Sequence, residues 1–193
     1  TVLVFPESAP CAVDVRGGGP ASRESELLSP MAAASGIHAI LLSGGSAFGL
    51  NASAGVMQYL EEQHIGFDTR ICKVPLVVES CIYDLCCGDN VRPDAAMGYA
   101  ACQASESGDF RQGCYGAGTG ATVGKLCGPD YMMKSGLGAY AVQVGDLQVG
   151  AVVAVNAVGD VLGARLDDQL GVVAAEPVRH RGGGPAFVVR VVG

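Results

Sequence analysis

Lys125 is the residue whose surroundings first suggest chemistry. It follows nine residues, 116–124, made only of Gly, Ala, Thr and Val. A lysine is costly to take out of water unless it is paired. It is therefore either a solvated loop residue or an ammonium with partners. Asn156 closes the apolar run 147–156, where an amide needs partners or marks a strand-end turn. Tyr83 ends the run 77–82 and precedes Asp84; by itself it reads as a core or edge aromatic with a satisfied hydroxyl. Gly44-Gly45-Ser46 opens a helical pattern. Free N–H groups at a helix start favour negative charge or a polarised carbonyl, but glycines there equally serve close packing.

Several familiar chemistries fail on spacing. Gly124-Lys125 ends like a phosphate-binding loop, but Thr119 stands where its first glycine belongs and Leu126 where its hydroxyl belongs. Gly116 and Gly118 suit a dinucleotide fingerprint, yet Ala121 follows, with no clear strand before and no acidic residue in context after. The G-x-S-x-G elbow is absent, and His38, His64 and His180 are scattered without persuasive partners. Eight cysteines include the adjacent Cys86-Cys87 but no C-x-x-C, so neither zinc nor a disulfide framework is expected. Reduced thiols in a cytoplasmic protein are the simpler expectation.

The elements that must position these residues are legible in outline. The chain is 193 residues long and 49% hydrophobic, enough for one domain over 1–193 with a sizeable core and incompatible with disorder. Thr1–Phe5, ended by Pro6, and Cys11–Val15 read as strands; Ile37–Leu42 is another, followed by a helix carrying Phe48, Ala52, Val56, Tyr59 and Leu60. Val74–Tyr83 is a strand broken by Pro75, and a small-residue helix spans Asp94–Ala104 with Pro93 just before it as an N1-type residue. Gly138–Val144 and Leu147–Asn156 flank a turn at Asp146, Gly159-Asp160 turns into Val161–Gly163, and a loop at Gly182–Pro185 precedes a last strand, Phe187–Val192. Strands at both ends with helices between predict an α+β layered domain rather than a doubly wound sheet.

Charge and hydropathy exclude more. A net charge of -7 with no basic run argues against nucleic acid, and would mildly steer cationic or amino-terminal substrates. The apolar stretch Val149–Val155 is far short of the roughly 20 residues of a membrane span. The chain opens on Thr1-Val2-Leu3-Val4-Phe5 without a secretion signal or an initiator Met, as a fragment or a processed product would.

Six motifs in order then resemble the DmpA/NylC-type N-terminal-nucleophile amidohydrolases, which include aminopeptidases and nylon-oligomer hydrolases. They are Leu42-Ser43-Gly44-Gly45-Ser46-Ala47-Phe48-Gly49-Leu50, Val74-Pro75 to Ile82-Tyr83-Asp84-Leu85, Arg92-Pro93-Asp94 with Gly98-Tyr99-Ala100, Gly118 to Lys125, Val153 to Asn156, and Val13-Asp14-Val15-Arg16-Gly17-Gly18. The resemblance covers nearly the whole chain. It implies an αββα four-layer sandwich made by a precursor that cuts itself in two. The present sequence resembles the larger, N-terminal chain, and a second chain would complete the fold.

In that scheme the nucleophile is the Ser or Thr that opens the smaller chain, outside this sequence. A hydroxyl is a weak nucleophile, and the α-amine of the same residue, which ordinarily titrates at about 8, can act as its base. The resemblance makes Lys125 the ammonium that keeps this amine neutral, Asn156 an oxyanion donor, and Tyr83 a hydroxyl donor to nucleophile or substrate. Gly44, Gly45 and Ser46 would line the substrate pocket. Glu79 would recognise a substrate amino group if it and Cys81 face that pocket, although a Glu on a strand's solvent face is the simpler account. No cofactor or metal is expected; the partners would be the smaller chain, further copies of the heterodimer, and a peptide or amide substrate. The alternatives are a non-catalytic relative that keeps the fold, or a self-cleaving acetyltransferase of similar fold.

Overall fold

The computed structural model describes residues 1–160 and the backbone of residues 187–192. In chain order the strands are β1 (Val2–Ala9), β2 (Cys11–Arg16), β3 (Ala21–Arg23), β4 (Ile37–Ser43), β5 (Phe67–Asp68), β6 (Lys73–Val74), β7 (Val77–Cys81), β8 (Thr122–Val123), β9 (Met133–Lys134), β10 (Leu137–Val144), β11 (Leu147–Ala154) and β12 (Phe187–Val192). The helices are α1 (Ala52–Glu62) and α2 (Ala95–Ser105). Mixed sheet and helices together make an α+β fold.

The central sheet has the order β1-β4-β7-β3, with β4 and β7 parallel and both outer pairs antiparallel. Both faces of its inner strands are covered, which is why 37–42 reads as an unbroken apolar run rather than an alternation. On one face Ala39, Leu41 and Val77 pack with Val56, Tyr59 and Leu60 of α1 and Cys102 of α2. On the other, Ile40 and Val78 pack with Leu28, Leu3, Cys11 and Val13. His38 is buried in this sheet, its Nδ1 accepting the Leu76 backbone N–H, so it serves the fold.

Three expectations change. Pro6 does not end the first strand: β1 continues to Ala9, with its register against β4 shifting between Val4 and Ala9. β1 is an edge strand, and a proline's missing N–H is tolerated in such an irregular edge stretch. The second helix is opened not by Pro93 but by Asp94, whose Oδ1 accepts the Met97 backbone N–H. The first helix is preceded by a 3-10 turn over Ser46–Asn51. The turn into Val161–Gly163, the Gly182–Pro185 loop and His180 lie outside the described residues, whereas the last strand is β12, parallel to β2.

Helices α1 and α2 cross backbone to backbone. A Cβ on Gly55 would overlap the Ala95 carbonyl oxygen, and one on Gly98 the Ala52 carbonyl oxygen. Overfilling a packed contact costs about 1–3 kcal/mol or more, so Gly98→Val should lower the denaturant midpoint sharply. An unchanged midpoint would contradict this crossing.

Candidate functional site

The site is built where the chain leaves β7, β8 and β11. Gly124 N–H donates to the Gly159 carbonyl at 2.8 Å, and Gly124 has φ +74°, a conformation suited to glycine. That bend delivers Lys125 directly after buried Thr122-Val123. The residues after β11 run beside the same strand: Ala157 N–H donates to the Thr122 carbonyl at 3.1 Å. Thr122 N–H donates to Asn156 Oδ1 at 3.0 Å.

Lys125 is half-buried and paired with neutral partners. Its Nζ donates to Asn156 Oδ1 at 2.9 Å and to Thr122 Oγ1 at 3.0 Å. Asn156 Nδ2 donates in turn to the Tyr83 backbone carbonyl at 2.8 Å. Residues 83, 125 and 156 thus converge through one amide. An ammonium carries three N–H donors and a side-chain amide two. One of each lies outside these bonds among the described residues. Such an arrangement holds fixed positive charge and an oriented amide donor together, as stabilisation of a developing oxyanion requires.

Tyr83 meets the cluster through its carbonyl, while the residue as a whole is 60% exposed. It is therefore not the core aromatic that its strand-end position allows. Thr122 has no role that the sequence alone assigns, yet it contacts both Lys125 and Asn156. The signal available is slight: Thr119 and Thr122 supply the hydroxyls of the glycine-dense stretch 116–124.

Gly44 and Gly45 are buried and Ser46 is half-buried. Gly45 N–H donates to Asp84 Oδ1 at 2.6 Å and Ser46 N–H to the Ile82 carbonyl at 3.0 Å. A Cβ on Gly49 would overlap the Gly44 carbonyl oxygen. These contacts support close packing for the two glycines and leave the Ser46 side chain as the partly exposed member of the turn.

Glu79 corrects an expectation. It does not lie on a solvent face but is 0% exposed, on an inner strand covered on both sides. Ser43 Oγ donates to its Oε1 at 2.7 Å, and Cys81 Sγ lies 3.6 Å from the same oxygen. Glu79 Oε2 has no partner among the described residues. Burial raises the Glu79 pKa above its ordinary value, against the opposing effect of the Ser43, Ser53 and Cys81 side chains and the positive charge of Arg23. Burial also pushes the Cys81 thiol up to about 12, so it stays protonated and unreactive.

The raised Glu79 pKa sets a pH dependence. The folded state holds this proton more tightly than the unfolded state, so stability is fully present below the ordinary carboxylate range. It declines as pH rises through the raised value. Glu79→Gln lacks that decline and should melt higher than the unsubstituted protein at pH 8, by about 2–4 °C for each kcal/mol of relieved charge burial. The difference should vanish near pH 4. A gap equal at both pH values would contradict a buried, titrating Glu79.

Comparison with known proteins then places the chain. A sequence profile described as peptidase family S58 matches residues 2–183, a span that includes residues 83, 125 and 156. The chain belongs to peptidase family S58. An uncharacterized aminopeptidase of Mycobacterium leprae is 42% identical over 84% of this chain and 45% of its own length. A 6-aminohexanoate-oligomer endohydrolase of a Kocuria species is 36% identical over 84% of this chain and 43% of its own length. A protein of the same name from Paenarthrobacter ureafaciens is 37% identical, over 82% and 42% respectively. The chain spans about half the length of the curated relatives it matches. Among the S58 chain's described residues no helix is long and apolar enough to cross a membrane.

Proposed function

We propose that the protein is a self-processing amide-bond hydrolase of the aminopeptidase or amino-acid-oligomer type. It acts through an acyl-enzyme on a Ser or Thr that opens a companion chain of the same precursor. The observation that carries this reading is the Lys125–Asn156–Tyr83 cluster lying within the S58 match. Relatives that extend well beyond the matched region supply the room for a second chain.

The chemistry follows from elementary acid–base requirements. The hydroxyl oxygen attacks the amide carbonyl carbon while its proton passes to the α-amine of the same residue. The oxyanion that forms is met by an Asn156 N–H, with Lys125 supplying fixed positive charge. The nitrogen–carbon bond breaks as the leaving amine takes the proton, and water then attacks the ester by the same route. Lys125 further disfavours a charged α-amine beside it, because like charges repel. The Tyr83 hydroxyl serves as a donor to nucleophile or substrate. Ser46 lines the substrate cleft, with Gly44 and Gly45 giving its wall a close-packed shape.

The companion chain completes an αββα sandwich, and such heterodimers assemble further. Eight free thiols suit a reducing, cytoplasmic setting. The test is hydrolysis by the complete protein of amino-acid anilides and of linear 6-aminohexanoate oligomers, with release of amines followed by chromatography. Cleavage that appears only after maturation supports the reading. Full activity in an uncut chain contradicts the self-processing step.

A further inference from the structure

We infer that Asp84 is a positioning residue that holds the Tyr83 peptide, and through it Asn156 and Lys125, in working geometry; this inference rests on the function proposed for the site. Asp84 stands in the segment after β7, directly after Tyr83. Its Oδ1 accepts the Gly45 N–H at 2.6 Å. Its Oδ2 is wedged between the same turn and a second segment: a Cβ on Gly44 would overlap it, and so would a Cβ on Gly120. One half-buried carboxylate therefore touches the turn after β4 and the glycine-dense segment that leads into Thr122 and Lys125.

The consequence reaches the site through covalent and hydrogen-bond links. The Tyr83 carbonyl, joined to Asp84 by their peptide bond, accepts the Asn156 Nδ2 hydrogen at 2.8 Å. Asn156 Oδ1 accepts from Lys125 Nζ at 2.9 Å. A carboxylate is acceptor-only, so Oδ1 orients one way toward Gly45 N–H, and a charge-assisted bond of this kind is among the stronger ones. Fixing this corner fixes which way the Asn156 amide points. The same arrangement gives a reason for the two glycines: at neither Gly44 nor Gly120 is φ positive, so what excludes a side chain there is the Asp84 oxygen.

The test measures kcat and KM of the complete protein carrying Asp84→Ala, Asp84→Asn or Gly120→Ala, with Lys125→Ala in parallel. A displacement of about 1 Å at reacting groups costs on the order of 100-fold, so Asp84→Ala should lose about 10- to 100-fold in kcat. Its KM should stay within about threefold, the pattern of lost transition-state geometry rather than lost binding. Asp84→Asn keeps an oxygen for Gly45 N–H and should recover kcat to within about fivefold of the unsubstituted protein. Gly120→Ala displaces the carboxylate without removing it and should lose kcat as Asp84→Ala does. Unchanged kcat in Asp84→Ala, or in Gly120→Ala where Asp84→Ala fails to fold, overturns the assignment. So does an Asp84→Asn variant as impaired as Asp84→Ala. An active Asp84→Ala beside an inactive Lys125→Ala removes Asp84 alone, whereas an active Lys125→Ala removes the proposed site itself.

Discussion

Replacing Lys125 with alanine should abolish turnover and maturation together, lowering kcat by about 1,000-fold or more, the upper range for loss of one preorganised donor. The structure makes the effect compound. The ammonium bonds Asn156 Oδ1 and Thr122 Oγ1, so its removal takes away a charge and also one of the contacts that orient the Asn156 amide. The Thr122 N–H bond to Asn156 remains, which limits damage to the fold. Lys125→Arg should not rescue: a planar guanidinium is wider than an ammonium and fits different partner geometry. The measurements are the fraction of precursor cleaved over time and kcat on an amide substrate. Activity at the level of the unsubstituted protein would sink the assignment of Lys125.

Asn156→Asp should be nearly as damaging while leaving the fold in place. The substitution preserves size and preserves an oxygen for Thr122 N–H and Lys125 Nζ. It replaces the Nδ2 donor by a second oxygen facing the Tyr83 carbonyl, where a 2.8 Å hydrogen bond now stands. Two acceptors cannot bond each other, so that contact turns repulsive. A carboxylate also offers an oxyanion no hydrogen and adds charge of the wrong sign. Loss of one such donor is worth about 100- to 1,000-fold in kcat. An unchanged melting temperature with that loss would separate a role at the site from a role in folding. Retention of full kcat would show that no Asn156 hydrogen is needed in the transition state.

Much of this is legible in the sequence, and the exceptions share a cause. The run at 37–42 and the hairpin flanking Asp146 carry their structure in local pattern, and both are formed. Lys125 and Asn156 stand out because their neighbours are small or apolar, which makes a polar group conspicuous. Asp84 does not stand out: the residues it touches, Gly45 and Gly120, lie far from it along the chain in both directions. Nothing local marks a carboxylate whose partners are backbone atoms of distant turns. Glu79 misleads because a strand's alternation identifies a solvent face only when one face is open, and both faces of this sheet are covered. Pro6 misleads because tolerance of proline depends on edge position, which sequence order does not reveal.

The Gly55 and Gly98 contacts bear on the site at one remove. They set how tightly α1 and α2 cross on one face of the sheet whose strands β4 and β7 lead into the Gly44–Ser46 turn and, past Cys81, into Tyr83. On that sheet the buried Ser43–Glu79 hydrogen bond ties β4 to β7 near those ends. Tyr83 and the Gly44–Ser46 turn thus follow a packed pair of parallel strands, while Lys125 and Asn156 follow β8 and β11 and join them through the Asn156 amide.

The most direct test of self-processing is the intact mass of every chain in the purified complete protein, with N-terminal sequencing of any second species. Self-processing predicts two chains, the smaller one beginning with Ser or Thr, and a single uncut chain in the Lys125→Ala variant. One unbroken chain that hydrolyses amides at full rate would contradict it.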